Sequence, residues 1–273
     1  MKMMVCFKAV PDLEMLSEED WAADSNLKVD LSFVRNILNC FDESALEMAL
    51  KLSDVSEGFD VLLNLTAFTI GDQKSDTYLK TLYALRFKKA VRIESNEDLR
   101  FFPEVTATVI SQYVREINHQ DVIVLGRQSG EGDNGKTPLL VAEMLEWPCI
   151  TQVIRIEPDT EGSLKVTNMV DGGTLTQTIT TPCVLSVGNA PNSYLRVPTL
   201  KDKMKYGKTP IEVLDIQQFN IQALLDDCRH GCELKGLEKI SHKRQGIIIE
   251  GETPREKARI LYDSYLKERL EKL

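Results

Sequence analysis

No stretch of the 273 residues approaches the ~18 consecutive apolar side chains of a membrane-spanning helix. The first apolar run stops at Lys8, too short for a secretion-signal core, and no small-residue cleavage site follows it. A first β-strand and a cytoplasmic protein are expected instead. An excess of positive charge is also lacking: the net charge of −9 argues against sequence-independent nucleic-acid binding, which needs a basic face. The six cysteines lie far apart except for Cys228 and Cys232, and read as reduced thiols. There are three histidines. His119 follows a helical stretch, where it can favour the helix dipole. Cys228, His230, Cys232 and His242 follow a plausible zinc order, but they form one short cluster in a polar region, and no metal is expected. No nucleophile–base pair emerges, so the chain is not expected to be an enzyme in its own right. Internal repeats and low-complexity segments are lacking.

What is present is a periodic pattern. Short apolar runs, "MMVCF" (3–7), "DVLLNLTAFTIG" (60–71), "AVRIE" (90–94) and "DVIVLG" (121–126), alternate with helical periods at 42–53, 76–85, 103–117 and 137–147. Nearly continuous apolar strands between amphipathic helices predict a parallel sheet covered on both faces, a Rossmann-like α/β fold. Ligands of such sheets sit at the carboxyl ends of strands, here after Cys6, Ile70 and Leu125. From 151 onward β-runs dominate, and "DGG" (171–173) suits a hairpin turn. The pattern predicts an α/β domain over 1–215, which the resemblance described below makes an adenine-nucleotide-binding one, and a C-terminal extension over 216–273. In that extension Ala258, Leu261, Tyr262, Tyr265 and Leu266 form one helical stripe that needs a surface to dock on.

"GEGDNGKT" (130–137) fits the phosphate-binding pattern G-x-x-x-x-G-K-[ST] letter for letter. A P-loop enzyme starts that loop directly off a strand and ends a later strand on a Mg²⁺-binding aspartate. Here "RQS" intervenes, and the candidate strand "CVLSVG" ends in Gly188 and Asn189. The hydrolase reading therefore lacks its metal ligand.

The loop belongs to a longer run, "DVIVLGRQSGEGDNGKTPLLVAEMLEWPCITQV" (121–153). It resembles the β-subunits of electron-transfer flavoproteins. So do "MVCFKAVPD" (4–12), "NCFDESALEMALKL" (39–52), "DGG" with the strand at 182–186, and "RVPTLKDKMKYGK" (196–208). The resemblance covers about 1–211 and points to a divergent bacterial branch. It implies a non-catalytic subunit that binds AMP or FAD, pairs with an α-subunit sharing a redox FAD, and docks a flavin-dependent dehydrogenase. Carried over by position, Cys6, Asn39, Cys40, Phe41, Asp42 and Ile70 face the nucleotide. The loop Gly126, Arg127, Gln128, Ser129, Gly130, Glu131, Gly132, Asp133, Asn134, Gly135, Lys136 and Thr137 closes over its phosphate end. Asn134, Lys136 and Thr137 are the expected phosphate contacts, at a helix N-terminus. Leu200 occupies the position of the family's partner-recognition leucine. Lys136 and Pro138 replace the usual glutamine and glycine, Asn168 and Leu175 depart around the hairpin, and Lys201 replaces a proline. These bear on ligand and partner. A second class stays open from the residues: a stand-alone adenine-nucleotide-binding regulator similar to universal stress proteins.

Overall fold

The structure, a computed structural model, describes residues 1–56, 62–191, 194–231, 234–238 and 246–271. It divides into two compact units, Met1–Lys235 and Gly236–Leu273.

The first unit is built on one nine-stranded sheet. Inside it lies β1 (Lys2–Cys6), paired in parallel with β4 (Asn64–Gly71) on one side and with the central strand β6 (Val122–Gly126) on the other. Beyond β4 come β5 (Lys89–Glu94) and β11 (Glu212–Asp215). Beyond β6 come β10 (Cys183–Val187) and β7 (Cys149–Pro158). All of these pairs are parallel. The sheet then ends in an antiparallel ribbon, β8 (Ser163–Val170) and β9 (Gly173–Thr180). Val170 faces Gly173 across the turn at Asp171–Gly172, and Gly172 takes the left-handed φ of 88°. A two-stranded ribbon, β2 (Ala9–Pro11) with β3 (Asn36–Leu38), stands apart from the sheet.

The continuous apolar strands are explained by helices on both faces. In β1, Met3 and Val5 enter one buried cluster and Met4 and Cys6 the other. In β6, Val122 and Val124 separate from Ile123 and Leu125 in the same way. The first cluster is closed by α1 (Cys40–Ser56) and α2 (Asp76–Ala84), through Leu46, Ala49, Leu79 and Leu82. The second is closed by α3 (Pro103–Gln112) and α4 (Thr137–Leu145), through Val105, Val109, Val141 and Leu145. Each fully buried Leu or Ile contributes roughly 1.5–3 kcal/mol by leaving water.

Three elements fall where the sequence shows no clear period: α5 (Leu200–Tyr206), β11, and α6 (Gln222–Gly231). Ile216, Phe219, Ile221 and Leu225 are buried in the second cluster. Residues 216–231, expected in the extension, are thus part of the first unit. Their apolar positions are too few and too irregularly spaced to show a period. The second unit, taken by itself, holds α7 (Pro254–Leu261), a wide helical turn over Tyr262–Leu266, and α8 (Lys267–Leu270). Thr253 caps α7 by accepting from the Glu256 N–H at 3.2 Å. Leu261, Tyr262, Tyr265 and Leu266 of the expected stripe are all exposed.

Candidate functional site

From β1 the chain crosses to β4 and β5 on one side, then returns to β6 on the other. The connections leaving β1 and β6 therefore part in opposite directions, which opens a crevice outside their carboxyl ends. Helix α1 starts at that point. Asn39 tethers its entry: its N–H donates to Lys8 O at 3.0 Å, and its carbonyl accepts from Glu43 N at 2.8 Å. Two residues into the helix, Asp42 is buried. Its Oδ2 accepts from the Lys8 N–H and its Oδ1 from the Gly126 N–H, both at 2.9 Å. Burial pushes this carboxyl up to about 6, against the opposing pull of Asn39, the two N–H donors and the Lys8 ammonium. Gly126 has to be glycine here, because a Cβ would lie 2.4 Å from Asp42 Oδ1 and 2.8 Å from the Asp42 nitrogen.

The loop after β6 is shaped by its own side chains. Ser129 accepts twice, its carbonyl from Asp133 N at 3.2 Å and its hydroxyl from Glu131 N at 3.2 Å. Gln128 donates its amide to Asp133 Oδ1 at 2.9 Å, and its carbonyl accepts from the Asn39 side chain at 2.9 Å. Gly132 has φ 85° and lies against Arg100, whose carbonyl a Cβ would meet at 2.2 Å; Gly135 has φ 61°. Lys8 reaches across to Glu131, Nζ to Oε2 at 3.0 Å, which neutralises that acid. Asn134, one of the expected phosphate contacts, has its side chain engaged in the loop itself. It donates to Arg100 O at 3.3 Å and accepts from Lys136 N at 3.2 Å. The Lys136 ammonium has no partner among the described residues, nor have the N–H groups of Gly135 and Thr137. Gly130 is exposed.

Arg127 closes the other wall. Its guanidinium lies 4.7 Å from the centroid of the Phe41 ring, and Nη1 donates to Gln152 Oε1 at 3.3 Å. Its Nε is buried without an acceptor among the described residues. Gln152 holds a left-handed φ of 55°, and its side chain excludes a Cβ at Gly188, the residue after β10. Cys40, at the head of α1, is exposed. Cys6 and Ile70 sit at the ends of β1 and β4, but both side chains pack on the second apolar cluster. Burial, with a smaller contribution from Asp42, drives the Cys6 thiol well above its ordinary range. Sequence reasoning missed Lys8, Arg100 and Gln152 as parts of this site. Lys8 was visible in "FKAVPD"; Arg100 and Gln152 arrive from elements whose spatial order the sequence does not display.

A separate surface lies at 194–206. Leu195 N donates to Glu43 Oε1 at 3.1 Å. The Arg196 guanidinium binds Glu47 at 2.9 Å and Asp54 at 2.6 Å, both on α1. Thr199 caps α5 by accepting from Asp202 N at 3.1 Å, and Arg86 pairs with Asp202 at 2.9 Å. So pinned, the segment presents Tyr194, Val197, Leu200 and Met204 to solvent; Leu200 is 75% exposed.

Cys232 and His242 of the zinc order lie outside the described residues. Among the described residues no group of His, Cys, Asp and Glu could hold a metal, and no helix is long and apolar enough to cross a membrane.

Comparison with known proteins identifies the family. The family profile described as "Electron transfer flavoprotein domain" matches residues 27–218. The chain is 34% identical over 277 residues to YgcR of Escherichia coli (strain K12), provisionally named as an electron transfer flavoprotein subunit. That match covers 99% of this chain and all of the relative. It is 27% identical to the electron transfer flavoprotein subunit beta of Bacillus subtilis (strain 168), over 82% of this chain and 84% of that one. It is 26% identical to the acryloyl-CoA reductase electron transfer subunit gamma of Anaerotignum propionicum, over 98% of both. With a matching profile across most of its length and a full-length relative at this identity, the chain belongs to the electron transfer flavoprotein domain family.

Proposed function

We propose that this chain is the β-type subunit of a heterodimeric electron-transfer flavoprotein in the cytoplasm. On this reading it holds an adenine nucleotide, AMP or FAD, in the crevice at Asp42 and the 126–137 loop. It docks a flavin-dependent dehydrogenase through the segment around Leu200.

The observation that carries the nucleotide reading is the set of donors left without acceptors in one loop. These are the Gly135 and Thr137 N–H groups at the start of α4, the Lys136 ammonium, and the buried Nε of Arg127. Such a set suits phosphate oxygens. The two acids that would repel them are occupied, Glu131 by Lys8 and Asp133 by the Gln128 amide. Gly126 and Gly132 let backbone approach backbone where side chains would block it. The chain's own groups then bind and orient; none needs to transfer a proton. A flavin, where bound, supplies the electron-accepting ring. The three relatives above are named as electron transfer subunits, one of them of an acryloyl-CoA reductase, which supports a redox-enzyme partner.

The test uses the chain co-produced with its α-subunit. The complex is denatured and the released nucleotides are identified and counted per heterodimer. One FAD with one AMP fits a simple electron shuttle, and two FAD with no AMP place a second flavin in this subunit. Failure to form a complex, with ATP or AMP on this chain alone, sinks the proposal.

A further inference from the structure

Asp42 does something unusual for an acidic residue in the first turn of a helix. Such a carboxylate ordinarily faces solvent, or caps N–H groups of its own helix. Asp42 is buried, and each oxygen accepts from the backbone just past or at the end of a different strand, Lys8 after β1 and Gly126 in β6. Those two residues open the segments that frame the crevice. Elsewhere the frame is held by contacts nearer the surface: Lys8 Nζ on Glu131, and the Asn39 side chain on the Gln128 carbonyl. The Asp42 carboxylate is thus the one side chain described that ties both strand ends to the helix at once.

We propose that Asp42 is a positioning residue: ionised, it locks the segment after β1 and the loop after β6 in register and so retains the nucleotide, and its protonation loosens both. This rests on the nucleotide-holding reading above.

The chemistry follows from the acceptor count. An ionised carboxylate accepts a charge-assisted hydrogen bond from each N–H donor, whereas protonation removes the charge and leaves the hydroxyl oxygen a much weaker acceptor. Burial raises this carboxyl to about 6 while the two N–H donors pull it down, so a loosened state that keeps Asp42 buried without them holds its proton more tightly still; protonation therefore favours that state, and the clamp holds above about pH 6. The groups that face it do not reverse this order. On the β1 side stand the Cys6 thiol, buried and driven upward, and the Lys8 ammonium, which Glu131 holds. On the β6 side Arg127 is engaged by Phe41 and Gln152. On α1 itself, Glu43 accepts from Leu195 N, and Asn39 hydrogen-bonds the carboxylate.

The test follows release of the bound nucleotide from the complex with its α-subunit, chased with excess AMP at pH about 7.5 and about 5.5, on either side of the titration. Backbone amide exchange at Lys8 and Gly126 is read on the same samples. Release is expected to be about tenfold faster or more at the lower pH, the size of a lost charge-assisted hydrogen bond. In Asp42→Asn it should be fast at both pH values, because the amide presents a permanent donor to one N–H. The Lys8 or Gly126 amide should exchange faster in that variant. Release that is unchanged or slower at low pH overturns the proposal, as does a variant that keeps the wild-type slope. Should Asp42→Asn fail to fold, wild-type amide exchange at Lys8 and Gly126 across the same interval decides, because the AMP phosphate itself titrates near pH 6 and gives release a slope of its own. A purified complex with no nucleotide removes the nucleotide reading instead, and amide exchange across the same pH interval then decides whether Asp42 clamps the two segments.

Discussion

The crevice and the 194–206 segment invert each other's chemistry. At the crevice a charged side chain is buried where apolar residues would be ordinary: Asp42 lies against the ends of β1 and β6, on the Lys8 and Gly126 backbone and beside the Cys6 thiol. At 194–206 apolar side chains are exposed where charges would be ordinary, and the charges of Arg196 and Asp202 are turned inward on α1 and Arg86. Each arrangement costs stability locally, one through desolvation and the other through exposed apolar area. The two differ in what holds them. The crevice is fixed by backbone approach and glycine, whereas the segment is fixed by side chains, through ion pairs, the Glu43 bond to Leu195 N and the Thr199 cap. The first should be brittle to substitution and the second should loosen without unfolding the domain.

The sharpest way to break that comparison is Gly126→Ala. The added methyl meets Asp42 Oδ1 at 2.4 Å and backbone atoms at 2.8 Å, and the strand end has no room to yield. A loss of about 3 kcal/mol or more is expected in urea unfolding. A loss below about 1 kcal/mol would mean that the crevice is more compliant than its contacts indicate.

Arg196→Ala should have a smaller and more local effect. It leaves Glu47, almost fully buried, without its cation, but Arg196 is itself about one-third exposed, so the penalty is screened. About 2 kcal/mol is expected, below the cost of breaking a fully buried pair. Amide exchange should rise across 194–199 while the strands stay protected. Uniform loss of protection would show that the segment is an integral part of the core.

These two regions were not equally legible in the sequence. The parallel core was visible because strands buried on both faces read as unbroken apolar runs, and "DVIVLG" became β6 nearly residue for residue. The crevice was visible as a set of strand ends, and Asp42 was named among its residues. Its role was not, since an acid in a first helical turn ordinarily signals a cap, and nothing local says that its oxygens reach Lys8 and Gly126. Asn134 read as a phosphate donor because it sits in a glycine-rich loop, yet its amide is engaged with Arg100, thirty-four residues earlier in the chain. Helix α5 and strand β11 were hidden for a different reason. Neither buries a full face, so no period marks them; α5 is held by a Thr199 cap and an ion pair to Arg86, and β11 by edge pairing to β5.

Leu200→Ala is the mildest change for the fold and the most informative for function. The side chain is 75% exposed and begins a helix whose cap comes from Thr199, so its removal should alter stability by no more than about 0.5 kcal/mol. Helix α5 packs on α2 rather than on the loop after β6, and nucleotide content should stay the same. If the exposed apolar set is a docking surface, Leu200 is its anchor, and truncating such an anchor costs about 2 kcal/mol or more of association. That corresponds to about a thirtyfold fall in kcat/KM for electron transfer from the dehydrogenase, with the flavin content of the complex unaltered. Lys201, Lys203 and Lys205 flank the anchor, so the remaining transfer should also weaken as salt is raised. Normal transfer by the variant would end the docking assignment. The exposed side chains of 194–206 would then need some other cover, and the inversion between the two regions would be a matter of packing alone.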